Sequence, residues 1–385
     1  MDQMTVETHL KSEMLCRGVV LSGNGEVADE FHSRGEFIHG TVFLLEGGSI
    51  VNTAVWSQEQ AEKVRQRCGA TLPTMKNNNQ QWIITGQAGQ MSGSILTLGN
   101  ASAAGLQNRP LGDWFSIHSP STLFCAPVRQ CIYIAIGKPC RFCTFEGGKV
   151  ERLTPEEFGL GLQHLVERRP MITSVAIGGG TPELSDMGTR YFASLAREAT
   201  AKGLSSSVEM VPPPDRDCLK TLVNAGVASL IMSLEAWDEQ HRAEWCLGKA
   251  GVSRSQYVER WREAVDLFGR GNVSSVLLVG AEPMDSTFEG AKCLIELGVI
   301  PTLIPLRWYP NSRFEFSDWS PVDPVEYLSL GYKVGQLLTR AGLAASKQLG
   351  CTACGGCSLE TAVEKLTGAQ GSLRNSGEDR WPGRV

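Results

Sequence analysis

Along the first 115 or so residues, apolar positions come in short β-type runs separated by turn residues. Val42 to Val55, VFLLEGGSIVNTAV, is two such runs broken by Glu-Gly-Gly-Ser, a hairpin signal. The segment SQEQAEKVRQRC then predicts a short helix, with Ser57 as N-cap and Gln60 at the third helical position. WIITG and SILTLG read as further strands, and Asn77-Asn78-Asn79-Gln80-Gln81 as a polar loop. Residues 1–115 are therefore expected to form a small α+β or β-rich domain that either covers one end of the larger C-terminal domain or contributes to substrate binding.

From Cys131 the pattern becomes strand and helix in alternation. β-Branched apolar runs place strands at 131–136 (CIYIAI), 172–177, 206–211, 228–233, 273–279 and 301–306. The clearest helix opens at Thr154-Pro155-Glu156-Glu157, with an N-cap threonine, proline at the first helical position and glutamate at the third. Other helices are expected near 184–201, 216–225, 255–269, 286–297 and 323–341. Apolar strands alternating with helices specify a parallel sheet with right-handed crossovers. The fold class expected is α/β, an incomplete (β/α)6 TIM-like barrel over residues 116–345. A Cys-rich C-terminal extension, 346–385, completes the chain, with a polar tail from Thr367 expected to be disordered.

Charge and composition narrow the function. The 385 residues carry 36 basic and 41 acidic side chains, net −5, which gives no general attraction to a phosphate backbone and argues against nucleic acid as partner. No apolar run reaches the ~18 residues of a membrane span. The first residues lack a basic start and apolar core, so a cytoplasmic location is expected. Twelve cysteines are many for such a chain, and seven of them cluster at 125-131-140-143 and 351-354-357.

Cys140 and Cys143 are two residues apart on a predicted loop, with Phe142 directly before the second thiol. In a chain of this kind the pair reads as metal-binding or redox rather than as a structural disulfide. A thioredoxin-type pair would cap a helix soon after a strand. GGGTPE, Gly178 to Glu183, comes after the next predicted strand and suits close backbone approach to a small zwitterion, although a glycine triplet is also a common turn. Ser233 and Glu235 close another strand. Two apart, they point to one side and suit a ribose diol, unless Glu235 simply opens the next helix. Glu209, inside an apolar strand, is expected in the barrel interior with Lys249 or Arg307 as partner. Arg307 and Tyr309 end the last strand, either as substrate contacts or as packing. Cys351, Cys354 and Cys357 form C-x2-C-x2-C in a Gly-rich turn. Such a triplet suits an auxiliary iron–sulfur cluster, zinc, or free redox thiols.

The cysteine loop, GGGTPE and Ser233-Leu234-Glu235 together resemble the radical SAM superfamily. The resemblance implies three cysteines on a 4Fe-4S cluster, with S-adenosylmethionine (SAM) on the iron that lacks a protein ligand. It implies reductive cleavage of SAM to a 5′-deoxyadenosyl radical that abstracts hydrogen from a small-molecule substrate, and an electron donor such as flavodoxin or ferredoxin. It assigns Cys140 and Cys143 to the cluster, Phe142 to cofactor binding, Gly178, Gly179, Gly180 and Thr181 to the SAM methionine end, Ser233 and Glu235 to the ribose, and Lys249 to the SAM carboxylate, unless Lys249 is simply a surface lysine. Gly280 of Val279–Pro283 is carried over as part of the fifth-strand segment. The superfamily's usual spacing puts its first cysteine at Ile136. Here the third ligand is Cys131, in C-x8-C-x2-C, or alternatively Cys125. If 131–136 were extended, at ~3.3 Å per residue Cys131 would begin ~16 Å from Ile136, and the chain would have to bend back. Within the superfamily, QCIY before the loop, GK at 248–249, SSVLLVG and the C-terminal triplet resemble a bacterial group encoded beside a nitrilase, over roughly residues 120 to 360. That implies small-molecule metabolism, perhaps of nitrogen compounds. Two competitors stand beside this reading: a sulfur-inserting or methylthio-transferring enzyme that uses the C-terminal cysteines as donor, and a zinc-bound non-catalytic barrel.

Overall fold

The computed structural model of the protein describes residues 1–22, 41–78, 81–98, 105–106, 109–145 and 151–373. Two seven-stranded sheets organise them. The first contains β1 (Val19–Leu21), β2 (Thr41–Leu45), β3 (Ile50–Thr53), β4 (Val55–Trp56), β5 (Thr74–Asn78), β6 (Gln81–Gly86) and β7 (Gly89–Ile95), in the order β3-β2-β7-β6-β5-β1-β4. The expected hairpin is β2 paired antiparallel with β3, Val42 opposite Asn52. The helix after it is Gln58–Cys68, closed at its start by the Ser57/Gln60 capping box. Asn77 and Asn78 belong to β5 rather than to a loop, and residues 79–80 lie outside the described residues.

One N-terminal element gives no signal in the sequence pattern. Helix Gln3–Arg17 buries Glu7, Lys11, Ser12 and Glu13 together with Leu10, Met14 and Leu15, so its polar positions do not mark a solvent face. The buried polar groups are satisfied from elsewhere in the chain. Gln87 and Ala88 donate their backbone N–H to Glu13, Ser49 N–H donates to Glu7, and Ser12 donates to the Pro324 carbonyl. Such a helix has no apolar stripe for periodicity to reveal.

A small pairing of β8 (Gly105–Leu106) with β9 (Arg109–Pro110) leads to the second sheet. Its strands are β10 (Phe115–Ser119), β11 (Thr122–Val128), β12 (Ser174–Gly179), β13 (Ser205–Glu209), β14 (Val227–Ile231), β15 (Val273–Val279) and β16 (Ile300–Pro305), in sequence order. β10 is antiparallel to β11, and β11 through β16 run parallel. Helices Pro155–Arg168, Thr189–Ala201, Arg216–Asn224, Arg254–Phe268, Met284–Leu297 and Pro324–Arg340 succeed the parallel strands in turn. The first carries the Thr154/Glu157 capping box read from the sequence. The fold is mixed α/β with a curled sheet, since Phe124, Gly179, Glu209, Ile231, Val276 and Thr302 from six successive strands all face one cavity.

The predicted strand at 131–136 is overturned. Ile132–Ala135 is a single helical turn with Cys131 as its N-cap, and the first parallel strand is β11. Pro127 lies inside β11, which demotes the run in a sequence reading. CIYIAI instead owes its apolar content to a half-exposed turn at the cavity mouth, where Ile136 is 47% exposed. The difference removes the geometric obstacle: at ~1.5 Å per residue a helical turn brings Cys131 to within roughly 8 Å of Ile136 along its axis.

The C-terminal segment also departs from expectation. Helix Gly350–Cys354 packs inside the curled sheet, against β10 through β13. A Cβ on Gly350 would collide with the Ser207 hydroxyl, and Thr352 and Ser274 share a hydrogen bond of 2.9 Å. Helix Glu360–Leu373 comes next, so the chain is helical past Thr367; residues 374–385 lie outside the described residues. The Cys-rich stretch is thus not an appendage but a filling of the sheet's concave side.

Candidate active site

One cavity of about 340 Å³ gathers most of the residues picked from the sequence: Cys131, Cys140, Phe142, Cys143, Gly179, Gly180, Thr181, Glu235, Lys249, and Cys351, Cys354 and Cys357. Gly178 and Ser233 stand just behind its wall. Cys125, the alternative ligand, is on β11, fully buried in the apolar core and pushed far up in pKa by that burial. Cys131, not Cys125, therefore keeps company with Cys140 and Cys143.

Each thiol at this end of the cavity is held by a specific contact. The backbone N–H of Thr181 donates to Cys131 Sγ at 3.2 Å, and Ile132 N–H returns a bond to Thr181 O at 2.8 Å. GGGTPE is thereby stitched to the cysteine turn. Gly180 has to be glycine: a Cβ there would lie 2.8 Å from both Cα and N of Cys131. Gly179 sits at φ 121, a conformation reserved for glycine. Cys140 accepts a hydrogen bond from the Cys246 thiol, which lowers its pKa against the opposing effect of burial, with Lys249 assisting. Burial pushes Cys143 up to about 11, against a hydrogen bond from the Phe145 backbone N–H. The segment Asn311–Arg313 clamps the loop: Arg313 donates to the carbonyls of Cys143 and Phe145, and Asn311 to Thr144 O at 3.0 Å. Sequence reasoning found neither Cys246 nor Arg313, since both act through distant chain.

Glu235 and Lys249 are paired with each other at 2.7 Å, the carboxylate side chain 6% and the lysine 20% exposed. Burial works against the charged lysine, yet Glu235, Cys140, Tyr257 and Cys246 together outweigh it and hold the ammonium well above its ordinary pKa. Glu235 has φ 77, which is rare for a residue with a Cβ, and marks stored backbone strain at this position. β14 ends at Ile231, so Ser233 and Glu235 do not share a face by strand alternation. Ser233 instead donates to Glu209 Oε1 at 3.1 Å. Glu209 does line the cavity; its hydrogen-bond partner is this hydroxyl, while Lys249 acts on it through charge without contact and Arg307 is not its partner. Enclosure by protein raises its carboxyl pKa above the ordinary value. Gly280 has φ 95 at the end of β15, its Cβ position filled by Val322, and it is not among the residues that line the cavity.

The opposite end is built by the C-terminal triplet and the N-terminal sheet. Asn52 of β3 donates its N–H to Gly356 O at 2.6 Å, and Arg307 donates to Asn52 O at 2.5 Å. Asn52 and Val42 line the cavity, so the first sheet is part of the site wall. Asn52 Oδ1 and Tyr309 Oη are buried there without a hydrogen-bond partner, and are free to meet a bound molecule.

The donor set fits an iron–sulfur cluster. Cys131, Cys140 and Cys143 line one cavity; Cys131 accepts from the Thr181 N–H, and the bond from Cys246 favours the Cys140 thiolate. Among the described residues no three Cys, His, Asp or Glu side chains are arranged to hold a single metal ion. Nor is any helix there long and apolar enough to cross a membrane.

Fold and site together define an α/β enzyme with a thiolate-lined cavity at the strand ends. Residues 137–291 match the radical SAM superfamily model. That segment includes Cys140 and Cys143 but neither Cys131 nor the C-terminal triplet. The protein is an enzyme, and radical SAM enzymes use SAM and a 4Fe-4S cluster. Among curated proteins it is similar to the bacteriochlorophyllide c C-7(1)-hydroxylase of Chlorobaculum limnaeum, 23% identical over 201 residues, 46% of this chain and 50% of the hydroxylase. The chain thus spans about half the length of that relative. Among solved structures it is similar to a radical SAM methyltransferase from Sphaerobacter thermophilus, with 16% identity, a TM-score of 0.46 and 79% and 85% of the two chains covered. It is likewise similar to methylornithine synthase, with 15% identity, a TM-score of 0.47 and 63% and 68% covered.

Proposed function

We propose that the protein binds a 4Fe-4S cluster through Cys131, Cys140 and Cys143 and cleaves SAM reductively to start radical chemistry on a small metabolite. The observation that carries this reading is the joining of GGGTPE to Cys131 by the Thr181 N–H···Sγ bond, within one cavity that also holds Glu235 and Lys249. When bound, the cluster and SAM supply one-electron cleavage of a carbon–sulfur bond and a primary carbon radical. The chain's own groups do the positioning. The backbone groups of Gly178–Thr181 take the amino end of SAM, with Phe142 packed beside it. Lys249 turns from Glu235 to the SAM carboxylate, and Glu235 with Ser233 serves the ribose. A buried ion pair is well suited to such an exchange, because a zwitterionic ligand presents one charge to each partner without leaving either unpaired. Glu209, its carboxyl pKa raised by enclosure, lines the cavity with its hydrogen bond to Ser233.

Cys351, Cys354 and Cys357 hold a second iron–sulfur cluster in this reading. An electron donor of the flavodoxin or ferredoxin kind supplies the reducing equivalent, and the resemblance to the nitrilase-linked bacterial group points to a nitrogen-containing substrate. The sulfur-inserting or methylthio-transferring alternative uses the same second cluster as sulfur donor. Product analysis after a single turnover separates the two: 5′-deoxyadenosine with no sulfur gained by the substrate supports the first, and loss of cluster sulfide into product supports the alternative.

A further inference from the structure

We propose that His118 is the fourth protein ligand of the second cluster, making a Cys3His iron–sulfur site that has no open iron; this rests on the reading of Cys351, Cys354 and Cys357 as a cluster site. The sequence offers no fourth thiol near the triplet, and the fold brings a histidine there from 233 residues away. His118 Nδ1 lies 3.5 Å from Cys351 Sγ, and Cys354 Sγ is 2.9 Å from the His118 carbonyl. The latter S–H bond is given up when the thiol is deprotonated for metal binding.

His118 is placed there by a device. In the β10/β11 ladder Ile117 pairs with Leu123 and Ser119 with Thr122, so His118 is the extra residue of a β-bulge. A bulge turns one side chain out of the normal alternation. The imidazole then stacks on Phe124, with ring centroids 4.7 Å apart and planes within 7°, and both residues line the cavity. A solvent-facing histidine at the end of an edge strand would need neither the bulge nor the stacking.

Charge supports the same site. Three thiolates cannot be buried without compensation. Lys11, wholly buried, donates to the Gly355 carbonyl at 2.7 Å, and Arg307 is hydrogen-bonded to Cys357. Among the described residues neither cation is within ion-pair distance of a carboxylate; Glu360 acts on Lys11 only at longer range. A wholly buried lysine and a half-buried arginine, with no carboxylate at ion-pair distance among the described residues, are costly beside neutral thiols and balanced beside a thiolate cluster. The imidazole adds a fourth donor without adding negative charge, and histidine in place of cysteine raises a cluster's reduction potential. A site with all its irons ligated passes electrons rather than binding substrate.

The test uses the full chain labelled with 15N-histidine, reconstituted anaerobically with iron and sulfide, then reduced. Pulsed EPR of the wild type is expected to show strong coupling to a directly ligated histidine nitrogen. In Cys140→Ala/Cys143→Ala, which removes the first cluster, roughly four irons per chain should remain, with the coupling retained. Adding His118→Cys should keep the iron, abolish the coupling and lower the midpoint potential. Iron retained in the double variant with no strong nitrogen coupling overturns His118 as ligand while leaving the second cluster standing. Loss of all iron from the double variant, or zinc in its place, overturns the second cluster itself. The labelled wild-type spectrum needs no substitution, so it decides the ligand even if a variant fails to fold.

Discussion

The two cysteine groups face the same cavity but live in opposite electrostatic settings. Around Cys131, Cys140 and Cys143 the cation is already paired: Lys249 holds Glu235 at 2.7 Å, Cys131 accepts from a backbone N–H, and a neighbouring thiol lowers the pKa of Cys140. Around Cys351, Cys354 and Cys357 the cations Lys11 and Arg307 are bonded to carbonyls and thiol, with no carboxylate opposite among the described residues. A paired cation and anion are what a zwitterionic ligand such as SAM can divide between its own charges. Unpaired cations are what a net-negative thiolate cluster needs. On the proposed reading, the first region is arranged for exchange of ligands and the second for permanent occupancy.

The largest way to break this contrast is to remove a first-group thiol. Cys140→Ala should abolish formation of 5′-deoxyadenosine from SAM while leaving about half the iron, as measured by chromatography and iron analysis; full loss of iron would mean that the second group holds no cluster. Next are the cations. Lys249→Met should weaken SAM binding by about 10- to 100-fold, from the roughly 1.5–3 kcal/mol of a charge-assisted hydrogen bond, with iron content unchanged. Lys11→Met should do the reverse, lowering the iron retained at the second group and leaving the SAM dissociation constant unaltered. If both substitutions lower SAM affinity equally, the division of labour fails. Gly180→Ala sets a Cβ against the Cys131 backbone, where nothing can move aside. It should cost about 1–3 kcal/mol of stability, read from urea denaturation of the apoprotein.

The smallest effect is one of pH. Enclosure raises the Glu209 carboxyl above its ordinary value of 4.5, so the folded state prefers the protonated form. The stability this contributes is complete below 4.5 and is lost as pH rises through the raised value. As pH rises from 4.5 through the raised value, the apoprotein should therefore lose stability relative to Glu209→Gln, whose amide does not titrate. Parallel denaturation midpoints across that range would place Glu209 in a more open setting than the cavity floor.

Much of the parallel sheet was legible in the sequence because its signals are local. The Thr154 capping box and the β-branched runs of β12 through β16 arise from chain neighbours alone. The same holds for the Ser57 box and the β2/β3 hairpin. The failures have a shared physical cause, since burial there is decided by distant partners. CIYIAI reads as a strand, but its apolar side chains line a cavity mouth, while Pro127 hides the real strand. Helix Gln3–Arg17 conceals itself because Glu7, Lys11 and Glu13 are buried against the backbone of other elements. The thiols of the site could be found by counting cysteines. Cys246, Arg313 and His118 could not, because each reaches the cluster loops across the fold, and for His118 only a bulge reveals it. The pairing of Glu235 with Lys249 was likewise hidden, since strand alternation predicted a shared face with Ser233 where the backbone in fact turns to φ 77.

The central claim is that Cys131, Cys140 and Cys143 hold a cluster on which SAM binds. Its most direct test is the EPR spectrum of the anaerobically reconstituted, reduced protein, recorded with and without SAM, in the wild type and in Cys140→Ala. The account predicts a cluster signal in the wild type that shifts when SAM is added, and a Cys140→Ala spectrum that SAM leaves unchanged. A wild-type signal indifferent to SAM, or a SAM-induced shift that survives Cys140→Ala, would contradict it.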